Sequence, residues 1–264
     1  MALGLRRFAA AARRSPGLLE LRELEARPEK LLALLPALQA SARYADLVGQ
    51  QVLGAWTTDI GASCGRVYLL QRWADYDSRD EGLVALASDP LAAAAAVKVQ
   101  ELCEAQRSNR AREDMARRRK MCIFAEATAA LEQAGLSESL LDASAPVAGG
   151  DRPAYELRTY QLKLGYTTVP DFVALYTKGL KEKLAADTTG QSRLVSLMYC
   201  EAGAAQLNTV HELWRHNSMQ GSLASREASR GAPGWRQAIG SIAEMALTFH
   251  SQILRPVQGI GQLQ

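Results

Sequence analysis

Between Tyr155 and Leu162 the chain alternates with a period of two. Tyr155, Leu157, Thr159 and Gln161 fall on one side, and Glu156, Arg158, Tyr160 and Leu162 on the other. That period predicts a strand. Val195–Cys200 and Leu207–Arg215 predict a hairpin across Glu201-Ala-Gly203, with Thr209, His211, Leu213 and Arg215 on one face and Val210, Glu212 and Trp214 on the other. Between these strands the period lengthens. Phe172, Leu175, Tyr176, Leu180 and Leu184 form a helical stripe after the start signal Thr168-Val-Pro-Asp171, where a hydroxyl cap, an early proline and a first-turn acid coincide. Asn217-Ser218 caps a further helix, Pro233-Gly-Trp235 opens another, and Phe249–Val257 predicts a closing strand.

The first half repeats this order more loosely. Leu18–Glu25 alternates as a strand, and Pro28 opens a helix carrying Leu31, Leu32, Leu35 and Leu38. Pro36 inside that helix removes a backbone donor and predicts a kink or a split. Val52–Asp59 and Arg66–Trp73 predict a hairpin through Gly61 and Gly65. Asp77 offers a helix cap, Leu91–Asn109 is an alanine-rich helix, and Lys120–Ala125 supplies a fourth strand. Glu20-Leu-Arg22 matches Glu156-Leu-Arg158 at an offset of 136, and Asp59-Ile-Gly61 matches Glu201-Ala-Gly203 at 142. An offset that drifts so little marks a duplication, in which both halves read β-α-β-β-α-β. A four-stranded sheet with helices on one face must bury its other face, and a second such sheet is the natural cover. The partner sheet can come from the other half of the chain or from a second chain. The predicted organisation is residues 18–135 and 154–258 as two domains joined by a Ser/Ala/Pro/Gly-rich linker, 136–153.

Composition narrows the class. With 48% hydrophobic residues in 264, the chain can bury substantial cores, and no apolar run reaches the length of a membrane span. Residues 1–19 carry Arg6, Arg7, Arg13 and Arg14 and no acid, the composition of a mitochondrial presequence ending near residue 17. The expected location is therefore mitochondrial, in the matrix or peripheral, with the cytosol second. Cys64, Cys103, Cys122 and Cys200 are dispersed, which suits neither a zinc site nor a disulfide framework. Arg107–Lys120 holds seven basic residues against two acids. Without neighbouring aromatics to stack on bases, it reads as a solvated helix end, and no nucleic-acid partner is expected.

Tyr155-Glu-Leu-Arg-Thr-Tyr-Gln-Leu-Lys with Gly165, Glu201-Ala-Gly203, Leu207-Asn-Thr-Val-His-Glu-Leu-Trp214 and Asn217-Ser218 resemble the NipSnap family. The first half resembles the degenerate first repeat of its short members. The resemblance implies an α+β fold of two tandem ferredoxin-like domains of the dimeric α/β-barrel type, and a mitochondrial association. It further implies partner proteins in vesicle traffic or in marking damaged mitochondria for autophagy. The family supplies no catalytic residues to carry over.

Candidate chemistry is sparse. The chain has no phosphate-binding glycine loop, nucleophile elbow or zinc-protease motif, so no catalytic residue, metal or cofactor is expected. Candidate ligand-binding residues are His211, Tyr160 and Trp214, with Trp214 and Trp73 read as barrel-core aromatics. His211 could pair with Glu201 or Glu212 for acid–base work, or ligate a haem iron. The leading expectation is a non-enzymatic mitochondrial interaction scaffold with a barrel filled by side chains. The alternative is an enzyme or carrier for a haem-like or hydrophobic small molecule, which needs an interior cavity of roughly 300 Å³ or more.

Overall fold

The computed structural model describes residues 17–103, 119–135, 152–203 and 207–263. The presequence-like segment through residue 16, the basic run through residue 118 and the linker from 136 through 151 lie outside the described residues. The first half runs β1 (Leu18–Glu25), α1 (Pro28–Ala42), β2 (Gln51–Ile60), β3 (Arg66–Trp73), α2 (Tyr76–Ser88), α3 (Pro90–Cys103), β4 (Arg119–Glu126) and a short α4 (Thr128–Gln133). The second runs β5 (Ala154–Leu162), α5 (Thr168–Ala186), β6 (Ser192–Gly203), β7 (Thr209–His216), α6 (Met219–Arg230), α7 (Pro233–Met245) and β8 (Ala246–Gly261).

The eight strands among the described residues join in one closed antiparallel barrel, in the order β1-β3-β2-β8-β5-β7-β6-β4. Each half contributes four adjacent strands, and the barrel closes where β2 meets β8 and where β4 meets β6. The second sheet that the bare faces require thus comes from within the chain. Period-two alternation sends one set of side chains inward and the other outward beneath the helices. Leu19, Leu21, Trp56, Tyr68, Leu70, Phe124, Tyr155, Leu157 and Leu213 belong to the interior core. Outside, Tyr160, Phe172, Tyr176, Leu180, Trp214 and Trp235 pack together in the second half. Leu24, Leu34, Leu38, Leu69 and Val99 do so in the first.

The duplicated glycines mark the two closures. Gly61 has φ +97° and Gly203 φ +127°. A Cβ at Gly61 would meet the Ser251 carbonyl oxygen at 2.8 Å, and one at Gly203 the Met121 carbonyl oxygen at 2.4 Å. Each lies where a hairpin strand of one half crosses onto the last strand of the other, so glycine answers both the backbone angle and the close approach.

Three elements differ from the sequence expectation. Helix α1 continues unbroken through Pro36. Pro36 and Leu32, whose carbonyl loses its donor, are both exposed, so water can satisfy the orphaned group. Helix α2 is capped two residues earlier than Asp77, by Asp75, whose Oδ1 accepts the Ser78 backbone N–H at 2.7 Å. Strand β8 spans 16 residues, longer than Phe249–Val257, since it pairs with β5 along its first part and with β2 along its second. Among the described residues no single helix is long and apolar enough to cross a membrane.

Candidate functional site

A cavity of about 660 Å³ opens inside the barrel, at the end where β1 and β5 finish and β3, β7 and β8 begin. Leu21, Leu157 and Cys122 give it apolar wall. Towards the other end of the barrel the Trp56 and Tyr155 rings pack 5.2 Å apart, both buried. Burial pushes the Tyr155 phenol up to about 12.

Polar side chains converge on the cavity from both halves. His211 on β7 lies opposite Thr159 on β5, with Nδ1 2.9 Å from the Thr159 hydroxyl. The Phe124 ring meets the imidazole edge-on at 4.8 Å. Burial drives the His211 pKa down to about 4, only partly opposed by a hydrogen bond with the Arg158 backbone. At neutral pH the ring is therefore an uncharged hydrogen-bonding group and a weak base. The place of His211 in the duplication is held in the first half by Tyr68, which lies opposite Glu23 as His211 lies opposite Thr159. Tyr68 donates its hydroxyl proton to Gln252 Oε1 at 2.6 Å. Burial, helped by Glu23, holds its phenol above the ordinary tyrosine value and hence protonated. Glu23 in turn pairs with Arg66 Nε at 3.2 Å, and Thr209 donates to Gln161 Oε1 at 2.7 Å. His250 on β8 flanks Thr159 from the other side. With Thr159 between them, His211 and His250 stand two strand spacings apart along the sheet, roughly 10 Å between backbones. Among the described residues no cluster of three or more His, Cys, Asp or Glu side chains could hold a metal ion.

The structure separates the three candidate residues. His211 reaches the cavity, whereas Tyr160 and Trp214 point outward beneath the helices, because they occupy the opposite parity on their strands. Trp214 and Trp73 are accordingly seam aromatics rather than barrel-core residues, and Trp56 is the interior tryptophan. Glu212 also faces outward, accepting from Trp214 and Arg158, and Glu201 is exposed near the end of β6. The pairing of His211 with either carboxylate that the sequence left open is not formed; Thr159 is its partner instead. The roles of Tyr68 and Gln252 escaped sequence reading, although the match of Tyr68 to His211 across the repeats was present in the offsets.

A second polar constellation lies outside the barrel, between the second half's sheet and helices. Glu156 accepts from Arg158 Nη2 at 3.0 Å, from Arg226 Nη2 at 2.7 Å and from the Ser251 hydroxyl at 2.6 Å. His216 Nε2 lies 3.3 Å from the same carboxylate, with Ser192 2.7 Å from Nδ1. A carboxylate only accepts, so Nε2 carries the proton and Ser192 donates to Nδ1. Burial alone would raise Glu156, but His216 and Arg158 outweigh it and hold the carboxyl well below its usual range. Glu212 accepts from Trp214 Nε1 at 2.6 Å and from Arg158 Nη1 at 3.4 Å. Buried Lys183 places its ammonium 3.6 Å from the Trp214 ring centroid and 4.6 Å from that of Trp235, while burial and then Arg158 lower its pKa to about 7. This network is closed over by α5 and α6 and serves the packing of the seam.

A family model places this architecture. The NIPSNAP model matches residues 19–113 and 155–259, once in each half. The chain belongs to the NIPSNAP family. No curated protein matches it in sequence. Solved structures resemble this NIPSNAP chain along most of its length. A putative monooxygenase from Lactobacillus acidophilus NCFM is 9% identical with a TM-score of 0.58, covering 92% of this chain and 95% of that one. A second protein so named, from Fusobacterium nucleatum, is 9% identical with a TM-score of 0.59 and coverages of 94% and 95%. An anthrone oxidase-like protein is 10% identical with a TM-score of 0.53, covering 92% of each chain.

The expectation of a non-enzymatic mitochondrial scaffold is corrected by these findings. It required a barrel filled by side chains. The interior instead holds a cavity of about 660 Å³, and the solved structures that share the fold over 92% or more of this chain are named putative monooxygenases and an anthrone oxidase-like protein.

Proposed function

We propose that this NIPSNAP chain is a small-molecule enzyme or carrier whose ligand occupies the barrel interior. The carrying observation is the cavity of about 660 Å³ with polar groups converging from both repeats, within the 300–1,000 Å³ range of small-molecule sites. Its walls suit an apolar, ring-containing molecule bearing a hydroxyl or carbonyl oxygen. Neutral His211, positioned by Thr159, and protonated Tyr68, positioned by Gln252, would hold that oxygen from opposite sides of the repeat. The names of the structural neighbours favour an oxidative reaction, with dioxygen as the co-substrate to test first. The test is titration with a panel including anthrone, a simple phenol and haemin, on the native chain and on Leu157→Trp, which fills the cavity. Binding that Leu157→Trp removes from a folded protein supports the reading, and oxygen uptake with a bound compound makes it an enzyme. Failure of every compound to bind, or binding that Leu157→Trp leaves untouched, removes the interior as the site.

Each half, with its sheet order β4-β1-β3-β2 or β8-β5-β7-β6, is on this reading a ferredoxin-like repeat, with the two domains bounded near 18–135 and 154–258. The arginine-rich, acid-free residues 1–17 support a mitochondrial location. A reporter fused to residues 1–20 that stayed in the cytosol would remove that part of the proposal.

A further inference from the structure

A second cavity, of about 360 Å³, lies outside the barrel in the first half, between its sheet and helices α1, α2 and α3. The strand wall separates it from the interior. The duplication explains why it exists. Strand register sets Leu24 in the place of Tyr160 and Gln71 in the place of Trp214. Two large rings that fill the second seam are thus a leucine and a glutamine in the first, and the space they vacate is not closed by the helices.

Its walls are mostly aliphatic, with Leu38, Leu83 and Val99 among them, but polar side chains also line it: Ser41 and Tyr44 on the helix side, and Arg22, Gln50 and Gln71 at the sheet. Gln50 and Gln71 are 3% and 4% exposed, and Gln50 Nε2 and Gln71 Oε1 are buried without a hydrogen-bond partner. Orphaned buried amide atoms are costly and mark a place that something else completes. The charges agree. In the second half Arg158 faces Glu212 across the strand pair and uses Nη1 to reach it. In the first half Arg22 faces Leu69 and pairs through Nε with Glu20. Glu20 therefore meets two guanidiniums, Arg22 and Arg79, of which Arg79 also touches the exposed Asp80 at 3.4 Å, and the carboxylate corresponding to Glu212 is missing.

We propose that this seam binds a small aliphatic carboxylate, whose carboxylate supplies to Arg22 the charge that Glu212 supplies to Arg158 in the other repeat and whose tail fills the space of the absent rings. The carboxylate receives hydrogen bonds from Arg22 and Gln50 Nε2, and Gln71 Oε1 accepts from a hydroxyl on the ligand or from a bridging water. This site is independent of the interior site proposed above.

Calorimetric titration of the full chain with octanoate tests it. One octanoate should bind per chain, and 1-octanol, which lacks the charge, should bind at least about tenfold more weakly. Leu69→Glu supplies the missing carboxylate from the protein and should abolish octanoate binding. Ala92→Leu fills the tail space and should weaken it by about tenfold or more. Thr159→Val, inside the barrel, should leave octanoate affinity within twofold. If Leu69→Glu does not fold, Ala92→Leu and the octanol comparison decide. Absence of octanoate binding, equal affinity for octanol, or binding lost in Thr159→Val and kept in Ala92→Leu would each overturn the proposal. The last result would move the carboxylate to the barrel interior.

Discussion

The two halves of the barrel solve the same buried-charge problem with different side chains. In the second, Glu156 lies under His216, Arg158, Arg226 and Ser251, and Glu212 adds a second carboxylate. In the first, Glu20 is as deeply buried but is met by Arg22, Arg79 and the Trp73 indole N–H at 3.3 Å. Trp73 stands at the register position of His216. Burial raises Glu20, and the Arg22 and Arg79 guanidiniums more than offset it, leaving its pKa lowered. The lesson is that a duplicated strand retains the Glu-x-Arg core, because a buried carboxylate on the sheet must find cations nearby. The surrounding volume is free to diverge. One seam became an aromatic, polar core, and the other kept a cavity.

Two substitutions probe that contrast. Glu156→Gln leaves Arg158 buried without its main counter-ion and should cost about 3–5 kcal/mol in denaturant unfolding. Glu20→Gln should cost about half as much, since Arg22 is 28% exposed whereas His216 is 3% exposed. A larger cost for Glu20→Gln would reverse our ranking of the two networks.

Next comes the lysine, for which the described first half has no buried counterpart. The folded pKa of Lys183, about 7, is far below the unfolded value near 10.4. Between these limits the unfolded chain binds the extra proton, so native stability rises with pH. Lys183→Met removes that gain. Relative to native, the variant should lose an advantage on the order of 3–4 kcal/mol between pH 7 and 10, reduced by the two indole faces that favour the cation. Parallel stability curves for the two proteins would show that Lys183 stays charged.

The interior provides a third contrast, His211 against Tyr68. His211 titrates near 4 when folded and near 6.5 unfolded. Its contribution is complete above pH 6.5 and is lost as pH falls towards 4. His211→Asn should flatten the acid limb of the stability curve by about 2–3 kcal/mol, whereas Tyr68→Phe should leave its slope unchanged. Thr159→Val, the mildest change, removes one hydrogen bond to His211 and should cost about 1 kcal/mol. It should weaken an interior ligand without altering the seam site, so an equal effect on both cavities would mean that the sheet transmits between them.

Much of this was legible along the chain. Glu156-Leu-Arg158 and its copy, the helical stripe through Phe172 and Tyr176, and the turn at Gly203 follow from local rules: period, caps and glycine. The division of β7 into two faces was also legible, since alternation depends on neighbouring residues alone, but which face turns inward was not, and Trp214 was read as a barrel-core residue. Lys183 was not foreseen as buried, because a lysine on an apolar stripe reads as solvent-facing until Trp214 and Trp235 are brought over it. The cavity between Arg22 and Gln50 was invisible for the same reason. It is made by what is absent, and absence shows only when two registers are superposed.

The sequence by itself determined the strands, the helices, the duplication and which residues share a strand face, because these depend on contacts within a few positions. Tertiary structure decided how the sheets close on each other, that His211 and Tyr68 line one cavity, and that Tyr160 and Trp214 lie outside it. Those outcomes depend on which strand edges pair and on the side-chain volumes that meet between layers. Such quantities arise only when segments far apart in sequence, such as Glu126 and Met198 or Gly54 and Gly261, come within reach.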